Sequence, residues 1–242
     1  MRADAPIYAA LGDSMSIDAY AGGPGRGAAS LLLRNRDDDF PDWAGRDLAT
    51  RAPGTRLALL AADGAASATV AAGQLARLAH LPQPPSLATL TVGGNDLLQA
   101  YGDTVAARAA GRRLAAAGRR ILSSLRELMG RSAPIVVATV YDPSDGTGRA
   151  EQLGLPPWPD ALELLAEVNQ LLRALADDHG ALVADVHRRF LGHGLLAGDP
   201  ARPDARPEQR GLWYCGLIEP NAWGASQIRA AFWDALESAG VL

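Results

Sequence analysis

The chain contains no lysine; all 23 of its Lys-plus-Arg positions are arginine. With its abundant Ala, Gly and Pro, this reads as the coding bias of a GC-rich bacterium and carries no functional content. Cysteine occurs once, at Cys215, so no internal disulfide can form and there is no oxidising-compartment framework. Aromatic residues make up only 5% of the chain, and no basic stripe interleaves with them, which argues against a nucleic-acid partner. No apolar run approaches the roughly 20 residues that span a bilayer. The start, Met1-Arg2-Ala3-Asp4-Ala5-Pro6, lacks the charged head, apolar stretch and small-residue cleavage site of a signal peptide. The cytoplasm is therefore the expected compartment.

What is present suits one α/β domain over residues 1–242. The chain is 48% hydrophobic with a net charge of −4, enough apolar surface for a sizeable core. Short apolar runs read as strands at Ile7–Leu11, Arg56–Ala61, Leu87–Val92, Ile135–Tyr141 and Ala181–Val186. Helices are predicted at Phe40–Ala52, Ser67–Ala79, Thr104–Met129, Asp160–Asp178 and Asn221–Ser238. This alternation predicts a five-stranded parallel sheet covered by helices on both faces. The loops at Ser16–Asp39 and His187–Cys215 are long, as functional loops often are.

In open α/β sheets, ligands bind outside the carboxyl ends of the strands. Three clusters meet at that edge: Gly12-Asp13-Ser14 after the first strand, Asp63-Gly64 after the second, and Gly93-Gly94-Asn95-Asp96 after the third. A serine at a sharp strand exit can approach a substrate carbonyl; its plain alternative is a capping residue that opens a turn. Asn95 shifts the balance. Acyl transfer develops negative charge on the carbonyl oxygen, and each donor aimed at that oxygen is worth about 3–4 kcal/mol. The Asn95 amide, with the N–H groups of Ser14 and Gly64, would make a three-donor oxyanion hole. The competing reading of the Asn95 cluster is a Gly-rich turn followed by an Asp-capped helix.

These blocks resemble the SGNH (GDSL-like) hydrolases. Tyr8-Ala9-Ala10-Leu11-Gly12-Asp13-Ser14-Met15-Ser16-Ile17-Asp18 is similar to their first block. Thr91-Val92-Gly93-Gly94-Asn95-Asp96 is similar to the block that supplies their Asn, and Gly64 corresponds in position to their oxyanion-hole Gly. Glu219-Pro220-Asn221-Ala222-Trp223-Gly224 resembles their last block. The resemblance implies a three-layer α/β/α, flavodoxin-like fold. It also implies hydrolysis of a small-molecule ester through an acyl-enzyme on Ser14, with no metal or cofactor. A small acyl group such as acetyl is the family-level expectation, with a carbohydrate or lipid ester as the substrate.

One departure accompanies the match. Glu219 holds the place of the family's His, and Gly216 that of its Asp. Serine needs an adjacent base, and an exposed carboxylate near pKa 4.3 is a poor one unless burial raises it. Three explanations stay open. Glu219 is the base; or His187 or His193 reaches Ser14, oriented by Glu219 or Asp185; or the site is catalytically weak and the chain is an SGNH-like binding domain. A metal-dependent phosphoesterase using Asp13, Asp18 and Asp96 is a more distant reading, since capping and backbone contacts account for those acids. Asp37-Asp38-Asp39 reads as a helix cap. Trp158, Trp213, Tyr214 and Trp223 read as pocket walls or as partly buried core.

Overall fold

The computed structural model describes residues 5–242. The expectation drawn from the first four residues lies outside them. In chain order the elements are β1 (Ile7–Leu11), α1 (Ala28–Leu33), α2 (Leu48–Arg51), β2 (Arg56–Leu59), α3 (Ser67–Thr69), α4 (Leu75–Ala79), β3 (Leu87–Leu90), α5 (Gly94–Leu98), α6 (Thr104–Met129), β4 (Ile135–Ala138), α7 (Ala161–Asp178), β5 (Leu182–Ala184), α8 (Val186–Phe190), β6 (Tyr214–Cys215), β7 (Glu219–Pro220) and α9 (Ala222–Ser238).

Strands β1 to β5 form one parallel sheet in the order β2-β1-β3-β4-β5. That is the flavodoxin-like order, and its topological switch point lies between β1 and β3. Alternation along the strands feeds two cores. Ala9 and Leu11 of β1, with Ile135 and Val137 of β4, pack beneath α6 and α7. Tyr8 and Ala10, with Val136 and Ala138, pack beneath α1 and α9. The middle strands are buried on both faces because helices cover both, which is why they read as unbroken apolar runs. A small antiparallel hairpin, β6–β7, stands apart from this sheet and precedes α9.

The five expected strands are present, but each one after β1 is shorter than its apolar run. Several helices differ more. Only a 3-10 turn at Pro41–Trp43 and the four-residue α2 occupy the predicted helix Phe40–Ala52, because the chain breaks at Gly45, where φ is +77°. The predicted loop Ser16–Asp39 contains α1, which packs on α9. Asp39 does not cap a helix. Its carboxylate binds Arg26, Arg36 and Arg206, tying that segment to the one before β6, and these cations hold its pKa down. Among the described residues, no helix is long and apolar enough to cross a membrane.

Candidate active site

The exit of β1 is built around Gly12. Its φ is +124°, and a Cβ there would lie 1.9 Å from the carbonyl oxygen of Thr91, so only glycine fits. The Gln74 amide holds this turn from the side, donating to Gly12 O and accepting from Gly12 N, both at 2.7 Å. Gln74 belongs to a π-helical turn, Val70–Gln74, between α3 and α4. Such turns re-aim side chains and recur at functional sites. On the other side, Thr91 Oγ1 accepts from Asp13 N at 3.1 Å and bonds Ser16 Oγ at 3.1 Å. Asp13 caps the following 3-10 turn by accepting from Met15 N. Ser14 is thereby presented at the start of that turn, 8% exposed.

The exits of β2 and β3 are joined by Asp96. Its two carboxylate oxygens accept from Ser67 N at 2.9 Å and Ser67 Oγ at 2.6 Å, capping α3 from a neighbouring element. This clamps the Gly64 turn to the start of α5. Gly64 has φ +67° and open space around it. Asn95 donates weakly to Ala65 O at 3.3 Å and lines the same cavity as Ser14. The bonds that fix these turns come from neighbours such as Asp13 N, Met15 N and Ala65 N. Among the described residues, the N–H groups of Ser14 and Gly64 meet no protein acceptor.

Glu219 arrives from the β6–β7 hairpin, which packs on the Ser14 turn. Asn221 holds the hairpin to α9. Its Oδ1 accepts from Trp223 N and Gly224 N, and its Nδ2 donates to Leu212 O and Tyr214 O. The loop of the hairpin is strained, with Leu217 at φ +86°.

Burial pushes the Glu219 carboxyl up to about 7. Asp63 and Asp13 add to the rise, and the facing Ser14 hydroxyl opposes it. The contact with Ser14 is looser than a well-aligned hydrogen bond, and Glu219 Oε2 is buried without a hydrogen-bond partner. A buried acceptor left unpaired costs about 1–3 kcal/mol, so such an atom calls for a reason. Asp13 is also raised, to about 6, chiefly by burial.

Neither candidate histidine is hydrogen-bonded to Ser14 or Glu219. His187 Nδ1 bonds Val140 O at 3.1 Å. His193 Nδ1 bonds Gly211 O at 2.7 Å, and its ring stacks on Trp213. Neither lines the cavity beside Ser14. Asp185 is engaged by Arg173 at 2.7 Å, by Arg188 N and by Thr139 Oγ1, and bonds neither ring. Of the other acids, Asp18 accepts from Gly25 N and Gly27 N, so it serves its own loop.

A family model for the GDSL-like lipase/acylhydrolase family matches residues 10–225. The chain belongs to the GDSL-like lipase/acylhydrolase family. No curated protein sequence matches it significantly. Its fold is similar to that of an alpha/beta hydrolase enzyme from the metagenome of Lake Arreo, Spain, at TM-score 0.59 and 20% identity over 99% of this chain and 97% of that one. A variant of Axe2, an acetyl xylan esterase from Geobacillus stearothermophilus, matches at TM-score 0.61 and 15% identity, covering 98% and 95%. An extracellular lipase from Streptomyces rimosus matches at TM-score 0.58 and 22% identity, covering 97% and 100%.

In this GDSL-like chain Ser14 lines an apolar cavity of about 140 Å³ that runs from Asn95 along α5 to the start of α7. The strand-exit turns at Ser14, Gly64 and Asn95 are marked in the sequence, whereas the residues that hold them are not. Gln74 gives no signal, because nothing in residues 67–79 announces a π turn. Thr91, Asp96 and Asn221 stood inside recognisable blocks, but their bonding partners lie up to 78 residues away.

Proposed function

We propose that this chain is a serine ester hydrolase in which Glu219 replaces the usual histidine as general base. What supports this reading is that a half-buried Glu219 faces Ser14, which shares a cavity with Asn95 at the switch point of the sheet. Glu219 takes the Ser14 proton while Oγ attacks the ester carbonyl. The oxyanion is held by the N–H groups of Ser14 and Gly64 and by the Asn95 amide. The tetrahedral intermediate collapses, the C–O bond to the alcohol breaks, and protonated Glu219 returns the proton to the departing alkoxide. Water then attacks the acyl-Ser14 ester, giving its proton to Glu219 and its hydroxyl to the acid. The same proton finally restores the Ser14 hydroxyl.

A carboxyl near 7 suits this work, since a base is most effective when its pKa lies near the working pH. Burial and two acidic neighbours produce the shift, and no cation is among the groups that oppose it. The unpaired Oε2 fits the same reading, as an acceptor held ready for a proton.

The deciding experiment is labelling with a fluorophosphonate probe, followed by turnover of short p-nitrophenyl esters by the Ser14→Ala and Glu219→Gln variants. Wild type should label on Ser14 and turn over. Ser14→Ala should do neither while keeping its circular dichroism. A wild-type chain that neither labels nor turns over any ester would instead favour a binding domain.

A further inference from the structure

The cavity beside Ser14 is larger than an acetyl group needs. A cavity of about 150 Å³ lined by Leu, Ile and Phe stays dry and takes up benzene. The 140 Å³ here therefore matches about six carbon atoms. Its walls are aliphatic and aromatic, with Leu97, Leu98, Tyr101, Leu153, Trp158 and Leu165 among them.

Most polar tips along this cavity away from Ser14 are already used, the Tyr141 hydroxyl excepted. Trp158 Nε1 donates to Thr104 Oγ1 at 3.2 Å, and Tyr101 OH donates to Pro156 O at 3.0 Å. Near the mouth, the Asp142 carboxylate accepts from Ser144 N and Gly146 N, and Ser144 Oγ accepts from Gly148 N. A sugar placed inside would bury more hydroxyls than the single free Tyr141 hydroxyl can pair, which is costly. An alkyl chain would lose nothing.

The direction of the cavity decides which half of the ester enters. Glu219 does not line it, whereas Ser14 and Asn95 do. The alkoxide that Glu219 protonates must leave on the Glu219 side. The group left bonded to the carbonyl carbon then points past Asn95 into the apolar space.

We propose that this cavity is an acyl pocket that selects an unbranched aliphatic acyl chain of about six to eight carbons. This rests on the serine-hydrolase reading above and sets aside acetyl as the preferred group. Removing one methylene from water is worth about a three- to fourfold gain in kcat/KM where the pocket is realised in the transition state.

The test uses the full chain and p-nitrophenyl esters of acetate, butyrate, hexanoate, octanoate and dodecanoate. The expected kcat/KM rises about 10²-fold from acetate to hexanoate, following the gain per methylene, and falls at dodecanoate. Leu165→Trp fills the pocket and should lower the hexanoate-to-acetate ratio of kcat/KM by at least about tenfold. Leu98→Phe, at a wall position outside the main core cluster, should lower the same ratio and serves if Leu165→Trp does not fold. A second series fixes acetate and lengthens the alcohol; it should be flat. Acetate as the best substrate, with Ser14 labelled by fluorophosphonate, would overturn the acyl pocket and leave the hydrolase reading standing. So would a preference that follows the alcohol chain. No label and no turnover of any ester would sink the hydrolase reading and this proposal with it.

Discussion

The side-chain amide of Gln74 satisfies both backbone groups of Gly12, at 2.7 Å each, across 62 residues of sequence. It thus completes the turn that presents Ser14 and binds the β1 exit to the helical segment after β2. Gln74→Ala would leave the buried Gly12 N–H unpaired, while Gly12 O keeps its bond from Ala62 N at 3.0 Å. The expected loss is about 1–3 kcal/mol of unfolding free energy, read by urea denaturation. Gln74→Glu keeps the length but cannot donate to Gly12 O, so it should be destabilised as well. A variant of wild-type stability would show that the turn holds its shape without this bond.

Asn95 has only a long bond to Ala65 O, so its amide is free to turn toward a substrate oxygen. Asn95→Ala should lower kcat by about 10²-fold with little change in KM, because an oxyanion donor acts mainly in the transition state. A change confined to KM would make Asn95 a ground-state binding residue.

The two histidines give a prediction of opposite kind. His193 lies flat on Trp213 and bonds Gly211 O, while His187 bonds Val140 O. His193→Ala and His187→Ala should each keep ester turnover within about twofold of wild type. His193→Ala should also lose about 1 kcal/mol of stability through its stacking and hydrogen bond. A drop of 10²-fold or more in either variant would move the base from Glu219 to that ring.

The parallel sheet was legible because its middle strands are buried on both faces and read as apolar runs between Gly and Pro punctuation. The Ser14, Gly64 and Asn95 clusters were legible because turn chemistry marks strand exits. The histidines misled. A His between two glycines looks mobile in sequence, yet Gly194 is pinned, since a Cβ there would lie 2.2 Å from Pro143 O. The carboxylate of Asp145 further anchors this loop through Gly192 N, Gly194 N and Leu196 N. Such closures come from tertiary contacts and leave no local pattern. The burial that lifts Glu219 is of the same kind, because it depends on β6 and the Ser14 turn folding against β7.

Glu219 and Asp13 together predict that activity and stability change in opposite directions with pH. The folded pKa of Glu219 is raised from 4.5 to about 7, so the folded state favours its protonated form. Its stabilising contribution is complete below the unfolded value and is lost as pH rises through about 7. Activity needs the ionised carboxylate, so kcat/KM should rise through the same interval. Glu219→Gln mimics the protonated form. Above about pH 8 it should be more stable than wild type by roughly 1–2 kcal/mol, a figure reduced for the partial exposure of the group, and near pH 4 the two should agree. It should also lose ester turnover at every pH. Asp13→Asn removes one of the two negative neighbours while an oxygen remains to accept from Met15 N. The Glu219 pKa should then fall, and the midpoint of the pH–rate profile should move toward acid with turnover retained. Thermal melts and pH–rate profiles of the three proteins test all of this. An unmoved midpoint in Asp13→Asn would remove Asp13 from the control of the base, and a fully active Glu219→Gln enzyme would remove Glu219 as the base.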